Sequence, residues 1–460
     1  MGRGPFREEM DGVNDIDNLM LVCYDSLLAF ERRPRLSSFV MTASMTSLPG
    51  ELHHKPAILA IFAITYFGIA MGHVPGLKLN RVGIALLGAI GMMIFGGIGT
   101  SDAISYINWP TVFLLFGFFV LSAHVRLSGF YDKVAGGISA RLGHPMRFLL
   151  VLMLVTGGLS AFLNHDIVCY VFTPIVGAAL LHKRLNPVPF LIALAVASNI
   201  GAAATLIGNP QDMMIGEVAH LNFGRYLLWS SVPVMVALGA TYGIIWLMSR
   251  KQLQTTLPAA AKLDRQSYPF IQAHTIKGLI LLAVVIGLFF TPLPKEVVVL
   301  AAAGIHLASP KFRTDDLLGL VDWPILVLFM GLFVVTGAFQ STGYGGQAVQ
   351  WLAHNGFDLN IPRNLVLATA GMSNVINNSA AVMLLLKVVN LSRPTPAYIL
   401  ALANSFGGSL IIIGSVSNII VVQQARDVGI EITFWDFARL GIPVTLAALG
   451  ALLGWVALMR

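Results

Sequence analysis

From Ala57 onward the chain is a series of apolar runs separated by short polar or glycine-rich interruptions, and the run lengths say what each is. About 20 apolar residues of helix cross a bilayer core. Runs of that size predict spans at about 57–75, 81–99 and 109–126. The polar stretch from Leu127 to Pro145 reads as interfacial. The next run is split by Leu163-Asn164-His165-Asp166, which predicts a hairpin of two half-length helices, about 146–163 and 167–182, with Asn164-His165-Asp166 at its tip. A broken span follows at about 189–207, interrupted at Gly208-Asn209-Pro210 and resuming to about 220. A full span comes next at about 229–249. After polar residues 250–274 the order returns: spans at about 275–291, 295–309 and 322–340, a hairpin at about 363–391 with Asn377-Asn378 at its tip, a broken span at about 396–425 interrupted at Gly414-Ser415, and a last span at about 436–458.

The recurrence extends to the residues. Residues 102–129 align without gaps on 316–343 with eight identities, among them Trp109-Pro110 with Trp323-Pro324, Gly117 with Gly331 and Gly129 with Gly343. Asn164 then falls on Asn377, Gly201 on Gly407 and Gly208 on Gly414. Such internal duplication is common in transporters. Each half holds three spans, a re-entrant hairpin with no net crossing, and two more spans, one of them broken. Five crossings is an odd number, so the second copy is inverted. The expected fold is an all-α polytopic membrane protein of two inverted repeats, 56–249 and 275–460, joined by a cytoplasmic linker at 250–274 and preceded by a polar tail at 1–55. Lys and Arg crowd the loops on one side (Arg126, Lys133, Arg147, Lys183, Arg250, Lys277, Arg313 and Arg426 among them). The other side carries few, and the positive-inside rule makes the crowded side cytoplasmic. The first hairpin then enters from inside and the second from outside.

Composition agrees with the pattern: 56% hydrophobic and 11% charged, against about 25% charged for soluble domains. The net charge of +7 therefore belongs to membrane topology and not to nucleic acid. Cys23 and Cys169 form no disulfide framework, and Cys169 reads as packing. Residues 1–55 have no signal-peptide core. A soluble tail, an amphipathic surface helix, and an over-long start with Met41 or Met45 as the true first residue are the open readings.

Polar, glycine-rich backbone at membrane depth is tolerated only when buried in protein or lining a wet cavity, so the four interruptions are read as one binding site built twice. Helix N-termini after the tips and after Gly208 and Gly414 attract anions, and carbonyls at the preceding C-termini suit Na⁺. Side chains of Ser160, Asn164, Thr205, Asn209, Ser373, Asn377, Asn378, Ser379, Ser415 and Asn418 add neutral oxygens and donors. Gly208 and Gly414 allow close backbone approach. Small residues also pack helices throughout membrane bundles, which is the competing reading for any one of them. Asp166 is read as the lone carboxylate near mid-bilayer, a coupling-cation or proton site or a helix N-cap; its counterpart is Ser379. His165 is a proton relay or a satisfied hydrogen-bond partner. Lys387 is expected to snorkel to the outer face without touching ligand. The Trp-Pro pairs are read as interface anchors and helix starts.

The stretch LSAFLNHDIVCYVFTPIV followed by ASNIGAAATLIGNPQDMMIG resembles the ion transporter superfamily over roughly 57–459. That group includes citrate-transporter-like permeases, arsenite permeases, one class of Na⁺/H⁺ antiporters and the divalent anion/Na⁺ symporters. The resemblance implies a homodimer, a scaffold and a moving transport part in each protomer, elevator-like alternating access and cation coupling. Where the symporter branch carries Ser-Asn-Thr at both tips, this chain has Leu163-Asn164-His165 and Ile376-Asn377-Asn378, and Asp166 looks more like the arsenite-permease and antiporter branches. The expected function is secondary transport of a small anion, citrate or another carboxylate first and an inorganic oxyanion second, across the cell's inner (plasma) membrane. Na⁺ or H⁺ is the coupling ion, and Asn164, Asp166 and Asn377 are the candidate Na⁺ ligands. No other cofactor and no enzymatic motif is expected. The rival is a Na⁺/H⁺ antiporter or arsenite-type efflux permease that uses Asp166.

Overall fold

The computed structural model describes residues 51–72, 78–140, 143–250, 268–308 and 311–459. The tail at 1–50, most of the linker (251–267) and Cys23 lie outside the described residues. Within them every regular element is helical, and the helices form two series of ten in the same order. The first series is α1 (Glu51–Met71), α2 (Arg81–Ile94), α3 (Thr100–Tyr106), α4 (Trp109–Leu127), α5 (Phe130–Ala140), α6 (Pro145–Phe162), α7 (His165–His182), α8 (Val188–Ala202), α9 (Pro210–Val218) and α10 (Phe223–Ser249). The second is α11 (Gln272–Leu288), α12 (Lys295–Leu307), α13 (Thr314–Leu318), α14 (Trp323–Ser341), α15 (Tyr344–His354), α16 (Pro362–Ile376), α17 (Asn378–Val388), α18 (Pro394–Gly407), α19 (Val416–Asp427) and α20 (Phe434–Leu458).

Local chemistry sets the starts and stops. The Trp-Pro pairs open α4 and α14: proline lacks the N–H that a first turn leaves unpaired, and Asn108 and Asp322 cap the N–H groups of Thr111 and Ile325 at 2.9 and 3.1 Å. α2 stops at Ile94, short of the expected 99, because Gly96 and Gly97 follow and Gly97 turns the chain at φ +69°. The interfacial stretch after Leu127 is itself a helix, α5, matched by α15. The short helices α3 and α13 were not foreseen. The first hairpin falls close to the expected bounds, but its arms are not half-length: α6 and α7 have 18 residues each, about 27 Å at 1.5 Å per residue. The second hairpin has arms of 15 and 11 residues.

Packing couples the two series reciprocally. α4 lies on α12 as α14 lies on α2; α6 lies on α8 as α16 on α18; α10 meets α20; α7 meets α19 as α9 meets α17. The contacts repeat in detail. Gly117 of α4 closes on Val299 of α12, and Gly331 of α14 closes on Ala85 of α2, where an added Cβ would lie 3.0 Å from backbone. These four residues hold matching places in the two series. Contacts exchanged between copies in this way are what a two-fold relation produces. At the centre, α8 is buried from Pro189 to Ala202 and α18 from Ala397 to Gly407, helices covered on all sides and mostly apolar, as interior helices are. The outer helices turn large apolar side chains outward, such as Ile64, Phe67, Leu228 and Leu446. Among the described residues seven helices, α4, α10, α14 and α20 among them, are long and apolar enough to cross a bilayer. The chain is an integral, multi-pass membrane protein.

Candidate functional site

Each central helix stops in mid-protein and the chain unwinds before a short helix begins. The unwound backbone needs hydrogen-bond partners away from water, and the sequence supplies them. At the first break, Tyr226 and Ser230 of α10 donate to the carbonyls of Ala203 and Ala204 at 2.9 and 2.7 Å. Thr205 donates to Ala161 on the hairpin arm and accepts from the Ile207 N–H at 3.2 Å. At the second, Asn418 donates to the carbonyls of Gly408 and Ile411 at 2.8 and 3.0 Å, and Asn374 donates to Gly407 at 2.8 Å. A side chain at Gly208 would collide with the Ala202 carbonyl, and one at Gly414 with Asn374.

The breaks are tied across the repeats. Asn199 on α8 donates to Asn418 at 2.8 Å, and its oxygen accepts from Ser415 and Ser417 at 2.9 Å each, all at the start of α19. Ser405, which holds the place of Asn199 in α18, accepts from Asn209 at 3.0 Å and donates to Asp212 at 3.4 Å, both at the start of α9. Asn209 caps α9 through the Asp212 N–H at 2.7 Å and donates to the Asp212 carboxylate at 2.6 Å.

The tips sit against these junctions. Asn164 caps α7, its oxygen accepting the Asp166 N–H at 2.8 Å. Asn377 caps α17 in the same way through the Ser379 N–H at 3.0 Å. Ser160 bonds Ser198 at 2.8 Å, and Ser198 donates to the His165 carbonyl at 3.3 Å, which docks the first tip onto α8 beside Asn199. Gln211 of α9 donates to Ser379 at 2.8 Å, so α9 and α17 begin side by side. Asn378 lies over Gly408. Ser373 is bonded back to the Ala370 carbonyl at 3.0 Å, a local bond within α16.

Two expectations need correcting. Asp166 is not the lone buried carboxylate: Asp212 is fully buried at the first break. It escaped notice because the segment after Pro210 reads as the polar exit of a span, and only Ser405, distant in sequence, reveals that it is covered. Nor is Asp166 the N-cap; Asn164 fills that role and leaves the carboxylate free of it. Instead Asp166 meets His165 at 3.5 Å. Asn199, Gln211, Ser405, Ser198 and Asn374 join the candidate set only through their partners, since isolated Ser or Asn in an apolar helix carries no distinguishing signal.

Several buried polar atoms here make no hydrogen bond: Nδ1 of His165, Oδ1 of Asp166 and Asp212, Oδ1 of Asn374, Asn378 and Asn404, and Oγ of Ser409. Buried polar groups are ordinarily paired, and most of these are acceptor oxygens. The first tip thus offers a carboxylate with an imidazole, and the second tip and its break offer amide oxygens. Both sets suit a cation or water, next to helix N-termini that favour an anion.

The chain resembles proteins of one kind. Residues 57–397 match the citrate transporter family. An uncharacterised transporter of Mycobacterium tuberculosis is 28% identical over 418 residues, covering 85% of this chain and 96% of its own. The silicon efflux transporter LSI3 of Oryza sativa subsp. japonica is 26% identical, covering 84% and 94%. The crystal structure of the YdaH transporter of Alcanivorax borkumensis shares the fold at TM-score 0.52 and 16% identity, over 89% of this chain and 97% of that one. With a family match across most of its length, a wholly helical membrane fold and two broken-helix junctions at its centre, the chain belongs to the citrate transporter family of membrane transporters.

Proposed function

We propose that the protein is a secondary active transporter of a small anion, citrate or another carboxylate first and an inorganic oxyanion second, driven by a Na⁺ or H⁺ gradient. The observation that carries this reading is the unpaired oxygen at each tip, set beside helix N-termini: Asp166 at one, the amides of Asn374 and Asn378 at the other. An anion between two such tips meets N–H groups, and a cation on either side meets oxygen. Asp166 with Asn164 is the coupling-ion side of the first tip, and Asn377 with Asn378 that of the second. α6 to α10 and α16 to α20 form the moving part, α1 to α5 and α11 to α15 the scaffold, and transport proceeds by elevator-type alternating access. The two repeats lie inverted in the plasma (inner) membrane of a homodimer. Names among the relatives favour a second reading, efflux of a small oxyacid, since the rice protein is a silicon efflux transporter.

Purified protein in liposomes tests the first reading. Saturable uptake of labelled citrate or a dicarboxylate, dependent on a Na⁺ or pH gradient, is the expected result. Gradient-driven Na⁺/H⁺ exchange with no anion requirement, abolished by Asp166→Asn, would instead make it an antiporter.

A further inference from the structure

A cavity of about 190 Å³ lies where α9 and α17 meet the end of α3, the start of α4 and α14. A water occupies roughly 30 Å³, so there is space for one small carboxylate or oxyanion with a few waters. Its wall includes Met214 and Val218 from α9 and Met383 and Lys387 from α17, faced by Asn108 and Thr336. Among the described residues Lys387 is the only charged side chain in that wall, and it is exposed.

Helical spacing ties this cavity to the second tip. Ser379, Met383 and Lys387 are four residues apart on α17 and share one face. Gln211, Met214 and Val218 share one face of α9 by the same rule. Gln211 and Ser379 are bonded to each other, so the cavity begins one turn beyond that bond. Lys387 stands about 12 Å along the helix from Ser379 at 1.5 Å per residue, and its flexible stem lets the ammonium reach back over the cavity.

The two-fold related place differs in charge. There Asp322 stands for Asn108, and Pro174 stands for Lys387. A cation on one approach and a carboxylate on the other give the two faces opposite signs.

We infer that this cavity is an antechamber for small anions on the way to the second tip, with Lys387 as the cation that draws them in. The inference rests on the transport reading for its ligand, a small carboxylate or oxyanion, and on the Lys/Arg bias for its side, the outer one. Lys387 thus does more than snorkel: it raises local anion concentration at a narrow, low-dielectric mouth.

The test reads the cavity's charge preference without relying on transport. In a Cys23→Ser, Cys169→Ser background, Val218→Cys, half-buried in the cavity wall, is reacted in whole membranes with an anionic and with a cationic methanethiosulfonate. Ser105→Cys, exposed at the end of α3, serves as a second reporter. The anionic reagent should react faster by roughly tenfold, with the preference lost in Lys387→Gln, kept in Lys387→Arg, and weakened by high salt. In liposomes, Lys387→Gln should raise the half-saturating citrate concentration severalfold from the outer face and leave it unchanged from the inner face. A reagent ratio indifferent to Lys387, or no reaction at either cysteine, overturns the inference. A Lys387-dependent ratio in a protein that carries no anion would sink the proposed function and leave the antechamber standing.

Discussion

Asn164 and Asn377 perform the same task at the two tips, each accepting an N–H from two residues further on, yet their backbones differ. Asn164 sits at φ −59°, in relaxed conformation, and Asn377 at φ +82°, ψ 146°, a region that side chains avoid. The carboxylates are distributed just as unequally. Asp166 marks the first tip where the second has Ser379, and Asp212 marks the first break where the second has Asn418. Because α7 packs on α19 and α9 on α17, each tip is paired with the other repeat's break, and each pairing holds one carboxylate. The matched caps, glycines and cross-repeat bonds are the shared frame; charge and strain are where the copies have diverged. What the two series share is what holds the broken helices together; where they differ is in charge and backbone strain.

The largest expected effect separates the two carboxylates. Asp212 accepts hydrogen bonds from Asn209 and Ser405, whereas Asp166 has only His165 at 3.5 Å. Asp166→Asn should lower gradient-driven transport by roughly a hundredfold, ~2.7 kcal/mol of barrier, with little change in melting temperature. Asp212→Asn should do the reverse, costing about 2 kcal/mol of stability through its hydrogen bonds to Asn209 and Ser405. Flux in liposomes and thermal unfolding in detergent, measured on both variants, check the pair. Equal losses of flux with unchanged melting would erase the distinction.

The close helix crossings come next. An added Cβ at Gly201 would enter the Gly157 backbone, while one at Gly407 would lie 2.8 Å from the Ala370 Cα. Overpacking typically costs about 1–3 kcal/mol, and the overlap is deeper at Gly201, where three backbone atoms of Gly157 lie within 2.6 Å, than at Gly407. Gly201→Ala should sit at or above the upper end and Gly407→Ala lower. Melting temperatures in that order are the expected result.

The cross-repeat bonds rank below these. Asn199 makes three bonds to α19, and Ser405 makes two to α9. At about 1 kcal/mol for each neutral hydrogen bond, Asn199→Ala should destabilise by roughly 2–3 kcal/mol and Ser405→Ala by about 1–2 kcal/mol, measured by denaturation. A smaller loss at Asn199 than at Ser405 would mean that the second break is held by something other than this amide.

What the chain reveals by pattern alone follows the same division. Run lengths, the Trp-Pro starts and the polar interruptions at Asn164, Asn209 and Asn377 are local marks, and the repeat shows as their recurrence in the same order. That the three Asn residues are caps is not in the pattern, which offers Asp166 for that role. Asp212, Asn199 and Ser405 are not legible locally, because their meaning lies in partners from the other repeat, about 200 positions away. The arms of the first hairpin fall near the bounds that the run lengths give, and only their description as half-length fails, since 18 residues of helix is nearly a full span. Lys387 is exposed, but the cavity beside it is made by α3, α4 and α14, which no pattern on α17 announces.

The smallest expected effect tests the strain itself. A residue held at φ +82° with ψ near 146° costs of order 1–3 kcal/mol relative to glycine, which adopts it freely. Replacing an Asn cap by Gly loses only a few tenths of a kcal/mol, and glycine's extra freedom in the unfolded chain costs roughly 0.5–1 kcal/mol. At Asn377 the relief matches or exceeds these losses, so Asn377→Gly should be neutral or stabilising by about 1 kcal/mol. At Asn164 no strain is relieved, and Asn164→Gly should destabilise by about 1 kcal/mol. Thermal unfolding of the two variants should therefore move in opposite directions or differ clearly in size. If Asn377→Gly also retains transport, the amide at the second tip serves chiefly as a cap and the ligand oxygens there belong to Asn374 and Asn378; if transport falls while stability holds, Asn377 is itself a ligand and its strain is what keeps it in place.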